Sequence, residues 1–190
     1  MKFPMRSWPN SPADGSSRRT VRILGIDPGL RHTGWGVIDA VDNRLQFVAD
    51  GVVEPDPGAT LAERLRLLFV AVQELVATYA PHECAIEDTF VNQNPTSTLK
   101  LGHARAAAML APAVAGIIVA EYKPNLVKKS VVGAGHADKQ QVVAMIKILL
   151  PGCGAVSTDS ADALAVAVCH AHLRATAARM DAALAKAAQS

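Results

Sequence analysis

Arg22-Ile23-Leu24-Gly25-Ile26-Asp27-Pro28-Gly29 decides how the rest of the chain is read: a short apolar run, a carboxylate, then the Pro-Gly pair of a tight turn. An apolar run closed by turn residues predicts a buried strand, here one that ends on an acid. Gly34 to Ala40 and Leu45 to Val53 repeat the strand pattern with a turn at Asp42-Asn43 between them, so the three together predict an antiparallel meander. At Thr60 the period changes. Leu61, Leu65, Leu68, Val72, Leu75 and Tyr79 form one stripe at helical spacing, and Thr60 with Glu63 makes a capping box.

Beyond Pro81, Glu83 to Glu87 reads as a fourth strand, followed by a polar loop through Asn94 and Pro95. A second helix is expected from about Ser97 to Leu110, ended or kinked by Pro112. Ile117 to Tyr122 gives a fifth strand, then a short basic turn at Val127-Lys128-Lys129 and a glycine loop through His136. A helix from about Ala137 to Leu150 and a last one from near Thr158 complete the order βββαβαβαα. Strands that give way to strand–helix alternation, in a chain rich in alanine, predict an α/β fold with helices packed closely on a sheet.

The chain has 190 residues, half of them hydrophobic, 4% aromatic and 19% charged, with a formal net charge of +2. Such composition excludes disorder throughout, and no apolar run reaches the ~18 residues needed to span a bilayer. Residues 1–20, rich in Pro and Ser with scattered Lys and Arg, are expected to be a disordered basic arm. Residues 21–178 would form one domain and residues 179–190 an alanine-rich tail. Cys84, Cys153 and Cys169 are odd in number and far apart, which argues for three small buried residues in a reducing, cytoplasmic setting, against disulfides or zinc. A charge of +2 says almost nothing about partners.

The acids say more. Asp27 and Glu87 each end an apolar strand, and Asp159 and Asp162, three apart at the start of a helix, share a helical face. Taken singly, each has a plain structural role as a turn residue, a solvated strand end or a helix-terminal acid. Four carboxylates converging on one point would repel unless a cation sat between them. Hard divalent cations take oxygen ligands, and a pair of ions can stabilise both the attacking and the leaving oxygen of a phosphodiester displacement. The chemistry indicated is metal-assisted phosphoryl hydrolysis.

Five ordered segments carry a resemblance. Ile23 to Val37, with its Gly-Ile-Asp-Pro-Gly, Ala85 to Phe90, Leu99 to Arg105, Val131 to Val142 and Asp159-Ser160-Ala161-Asp162-Ala163-Leu164-Ala165 together resemble the bacterial RuvC-type Holliday-junction resolvases. The resemblance spans about Arg22 to Leu173. It implies a ribonuclease-H-like α/β fold, a mixed five-stranded sheet of the three-stranded meander plus two parallel strands flanked by helices, acting as a homodimer. It also implies Mg²⁺-dependent cleavage of four-way DNA junctions, Mn²⁺ substituting, by paired nicks that leave 5′-phosphate and 3′-hydroxyl ends. Asp27, Glu87, Asp159 and Asp162 fall on the metal-binding catalytic acids, with two ions expected per site. Coupling to the RuvA–RuvB branch-migration complex is a further implication.

Basic residues gather at Lys100 with Arg105 and at Lys123, Lys128, Lys129 and Lys139, where phosphates would be drawn. The resemblance singles out Lys128 and Lys139 as contacts to the DNA backbone. Phe90, in a polar loop after Glu87, matches a family position that opens the junction centre, and an exposed aromatic there would stack on an unpaired base. His170 and His172 lie two apart on a helix and point to different faces, so neither is assigned to the site. Two other readings exist. A sugar-kinase or actin-like ATPase needs a second lobe for which there is no room, and a non-enzymatic junction binder would not need all four acids.

Overall fold

The computed structural model describes residues 20–42, 44–89, 94–135 and 137–187, with the side chains of residue 178 and residues 181–187 outside that description. Five strands form one sheet: β1 (Thr20–Asp27), β2 (Thr33–Val41), β3 (Arg44–Val53), β4 (Glu83–Glu87) and β5 (Ile118–Tyr122). Their spatial order is β3-β2-β1-β4-β5. β1 pairs antiparallel with β2 and β2 with β3, whereas β4 runs parallel to β1 and β5 parallel to β4, giving the expected meander plus two parallel strands. The helices are α1 (Leu61–Tyr79), α2 (Pro95–Val114), α3 (Pro124–Val132), α4 (Lys139–Leu149) and α5 (Thr158–Ala187).

Strand alternation divides the core into two layers. Leu24, Ile26, Cys84 and Ile86 face α1 and α2, where Leu68, Val72, Ala104 and Ala108 are buried. Ile23 and Ala85 face the other way, into a cluster with Val127 and Val131 of α3, Val142 and Ile146 of α4, and Leu164 and Val168 of α5. The sheet is therefore covered on both sides, and the last residues of β1 and β4, in step with Ile23 and Ala85, turn toward α5.

α5 comes unusually near the sheet because β1 and β2 lack side chains where it crosses. A Cβ at Gly25 would lie 2.3 Å from the Ala163 carbonyl oxygen, and one at Gly34 would lie 2.0 Å from the Asp159 carbonyl oxygen. Both distances are far inside van der Waals contact, so the first two turns of α5 rest on backbone. Gly34 is the register partner of Asp27, which brings the start of α5 over the end of β1.

Several expectations need correction. α2 begins at Pro95 because Asn94 caps it, its side chain accepting from Thr96 and Ser97 N–H, with proline at the position where a missing N–H costs nothing. Pro112 does not end it, since in the last turn a proline removes a single hydrogen bond and the helix closes two residues later at Val114. The basic turn around Lys128 is the helix α3, with Pro124 at its start and Val127 and Val131 buried one turn apart. The order is thus βββαβαβααα. The expected boundary at residues 178 and 179 falls inside α5, which continues through Ala187, and Thr20 already belongs to β1. Residues 1–19 of the expected arm lie outside the described residues, as do Phe90, His136 and the last three residues of the tail.

Candidate active site

Asp27 and Glu87 end neighbouring parallel strands whose last registered pair is Ile26 with Ile86. Adjacent strands lie about 4.8 Å apart, so the two carboxylates are held side by side at the sheet's end. α5 brings Asp162 across from them, and α3 and α4 contribute Lys128 and Lys139. Together these five side chains rim a cleft of about 240 Å³ with Val127, Val142 and Ala165 in its wall. A second cleft of about 190 Å³ adjoins the first, sharing Asp27, Glu87 and Pro124 with it and bounded by Pro28, Asp88, Thr89 and Leu101.

The electrostatics are those of surplus negative charge. Burial, then the charge of Asp162, pushes the Asp27 carboxyl up to about 7, with Asp159 adding and Lys139 opposing. Burial, then Asp27 and Asp162, pushes Glu87 up to about 8 against Lys128 and Lys139. Asp162 is raised by burial, while Lys139, whose Nζ stands 3.5 Å from Asp162 Oδ2, pulls the other way. Like charges crowded away from water favour the protonated forms.

Asp159 does not line this cleft, although its charge acts on both Asp27 and Asp162. The four acids therefore gather less closely than the sequence suggests. Among the described residues no three Asp, Glu, His or Cys side chains are drawn together tightly enough to hold an ion as they stand. Neither aspartate is needed as a cap: Ser157 takes that place, its hydroxyl accepting from Ser160 N–H at 3.1 Å. The donor set is all carboxylate oxygen, which suits Mg²⁺ or Mn²⁺ better than softer metals.

The basic candidates separate. Lys128, half-buried, and Lys139, exposed, reach the cleft. Lys139 is placed by Asp138, which caps α4 through a box with Gln141 and so makes the lysine the first helical residue. Lys100 is exposed on α2. Arg105 is engaged within the protein: its guanidinium hydrogen-bonds Glu121 and lies 3.3 Å from Asp88, tying α2 to the ends of β4 and β5. Sequence reasoning missed these two partners, although Asp88 directly follows Glu87.

A family model described as crossover junction endodeoxyribonuclease RuvC matches residues 23–170. The chain belongs to the RuvC family. Curated RuvC relatives include those of Paramagnetospirillum magneticum, 58% identical over 87% of this chain and 100% of that protein, and Rhodopseudomonas palustris strain BisA53, 59% identical over 87% and 95%. The solved structure of Thermus thermophilus RuvC in complex with Holliday junction substrate superposes with a TM-score of 0.76 at 31% identity, covering 83% of this chain and 96% of that one. Yeast mitochondrial Ydc2, a Holliday junction resolvase only 14% identical, shares the fold at a TM-score of 0.60 over 80% of this chain and 78% of that one. The fold is ribonuclease-H-like, and membership of the RuvC family makes the chain a nuclease that depends on a divalent metal. No helix among the described residues is long and apolar enough to cross a membrane.

Proposed function

We propose that the chain resolves four-way DNA junctions by cutting opposing strands at the cleft of Asp27, Glu87 and Asp162, leaving 5′-phosphate and 3′-hydroxyl nicks. The observation that carries this reading is the surplus of buried negative charge there: carboxyls raised to about 7 and 8 mark a site arranged for a cation. Asp27, Glu87, Asp159 and Asp162 would hold divalent ions, Mg²⁺ by preference with Mn²⁺ as substitute and two per site. When bound, such ions supply Lewis-acid stabilisation of the attacking and leaving oxygens and a more acidic water.

The chain's own residues do the rest. Asp27 and Glu87, ionised with their protons given up to water, would serve as ligands. Lys139, beside Asp162, and Lys128 meet the phosphate backbone at the rim of the cleft. Lys100 adds a contact along α2, Phe90 stacks on a base at the junction centre, and Arg105 fixes the helix from which Lys100 projects.

Paired cuts fall on two opposing strands of the four in a junction, so two copies of the chain are needed, one for each cut. Leu110 and Val114 at the end of α2 and Ile118 beside them are exposed apolar residues suited to a homodimer interface. The enzyme acts in the cytoplasm with the RuvA–RuvB complex delivering its substrate. The test is incubation with a synthetic immobile junction and Mg²⁺, beside linear duplex. The expected result is symmetric nicks in the junction alone, abolished in Asp27→Asn with binding retained. Equal cutting of duplex, or a wild-type rate in Asp27→Asn, would overturn the reading.

A further inference from the structure

One buried polar cluster has no part in the chemistry above. His170, just over two turns after Asp162 on α5, is 2% exposed and has a partner at each ring nitrogen. Its Nε2 lies 2.8 Å from Glu83 Oε2 and its Nδ1 lies 2.7 Å from the Tyr122 hydroxyl. Arg174, one turn further, donates from Nε to Glu83 Oε1 at 2.8 Å. A carboxylate only accepts, so Nε2 carries the proton, and the tyrosine hydroxyl completes Nδ1. Burial alone would push the Glu83 carboxyl up, but hydrogen bonds from His170 and Arg174, with the charge of Arg174, hold it below its ordinary value. Burial pushes the Tyr122 hydroxyl up to about 12, so it stays protonated.

The two anchors of this imidazole are far apart in the sheet. Glu83 is the first residue of β4 and Tyr122 the last of β5. Tyr122 stands beside Glu87 in the parallel register, and its carbonyl accepts the N–H of Asp88 at 2.8 Å. Resting on Gly25 and Gly34 sets how near α5 lies to β1 and β2, but it leaves the angle at which α5 crosses β4 and β5 to other contacts. Two directional hydrogen bonds from one buried ring are suited to fix that angle.

We propose that His170 is a positioning residue: through Tyr122 and Glu83 it sets the placement of Asp162 on α5 against Glu87 on β4, and with it the affinity of the acid cleft for divalent ions. The inference rests on the reading of that cleft as the ion site.

The test compares full-length wild type with His170→Phe, which keeps a ring but loses both hydrogen bonds, and Tyr122→Phe, which removes one hydroxyl. Three quantities are read: the Mn²⁺ concentration giving half the ion-induced rise in Tm, junction affinity in EDTA, and cleavage rate against Mn²⁺. His170→Phe is expected to raise the Mn²⁺ midpoint about 10-fold, the lower end of the cost of losing groups that orient metal ligands, and Tyr122→Phe to raise it by less. Junction affinity should be unchanged, and excess Mn²⁺ should restore the rate.

A purely architectural role would lower Tm and leave the Mn²⁺ midpoint in place, and that result overturns the proposal. If His170→Phe does not fold, Tyr122→Phe alone decides by the same measure. Asp27→Asn, measured alongside, separates the failures. Persistence of the full Mn²⁺ response there overturns the cleft reading, whereas its loss with unmoved midpoints in the other two variants overturns only the role of His170.

Discussion

Glu83 and Glu87 open and close the same strand and turn to the same face of the sheet, yet their carboxyls are driven in opposite directions. Glu83 is 15% exposed and meets His170 and Arg174, which hold it ionised. Glu87 meets Asp27 and Asp162, and burial with those like charges drives it up to about 8. One strand thus carries a carboxylate whose charge is answered inside the protein and another whose charge is not. A buried acid left among its own kind must be compensated from outside, which separates a site from a structural ion pair.

The sharpest way to break this contrast is to remove the unanswered charge. Glu87→Gln should cut the cleavage rate by more than about 100-fold, beyond the loss typical of an outer-shell partner, while a gel-shift assay shows junction binding intact. Glu83→Gln should do the reverse. By stranding His170 and Arg174 it should cost about 3 kcal/mol, or roughly 6–12 °C in Tm at this chain length, with cleavage retained at saturating Mg²⁺.

The two acids should also bend stability in opposite senses with pH. Asp27 and Glu87 hold protons in the folded chain from their ordinary values of 3.8 and 4.5 up to about 7 and 8, so without divalent ions their contribution is lost as pH rises through that window. Glu83, held low, contributes above its ordinary value of 4.5 and loses that contribution as pH falls below it. Urea melts in EDTA should show the first slope, and Asp27→Asn should flatten it. The smallest effect concerns the basic residues: Lys139→Ala should lower the salt dependence of junction binding by about one unit, whereas Arg105→Ala should leave that slope alone and reduce stability. Equal slopes in both variants would show that Arg105 also reaches phosphate.

The strands, α1 and the acids at the strand ends could be read from one dimension because each announces itself locally, by apolar runs, a capping box or a carboxylate where a soluble fold has little use for one. α3 escaped notice because it is short, basic and amphipathic over barely two turns, too brief a span for periodicity to stand out from a lysine-bearing turn. The start of α2 was open to reading, since Asn94-Pro95 is a cap followed by a first-turn proline. The partners of Arg105 and the network of His170 could not be reached this way: the bonded residues lie as far as 16 and 91 positions apart, and only the parallel pairing of β4 and β5, with α2 on one face and α5 on the other, brings them together. His170 did leave one trace. It continues the stripe of Ala163, Ala167 and Ala171 on α5, which marks it as facing the core.

The bare backbone under α5 has a consequence for how the chain tolerates change. Between Asp159 and Asp27 the spacing is gauged by peptide groups, with no rotamer interposed that could relax to absorb an error. A methyl group at Gly34 would lift the helix bodily and carry both of its acids away from the strands together. Two positions without side chains, chemically inert themselves, act as the stops against which the reactive geometry is measured.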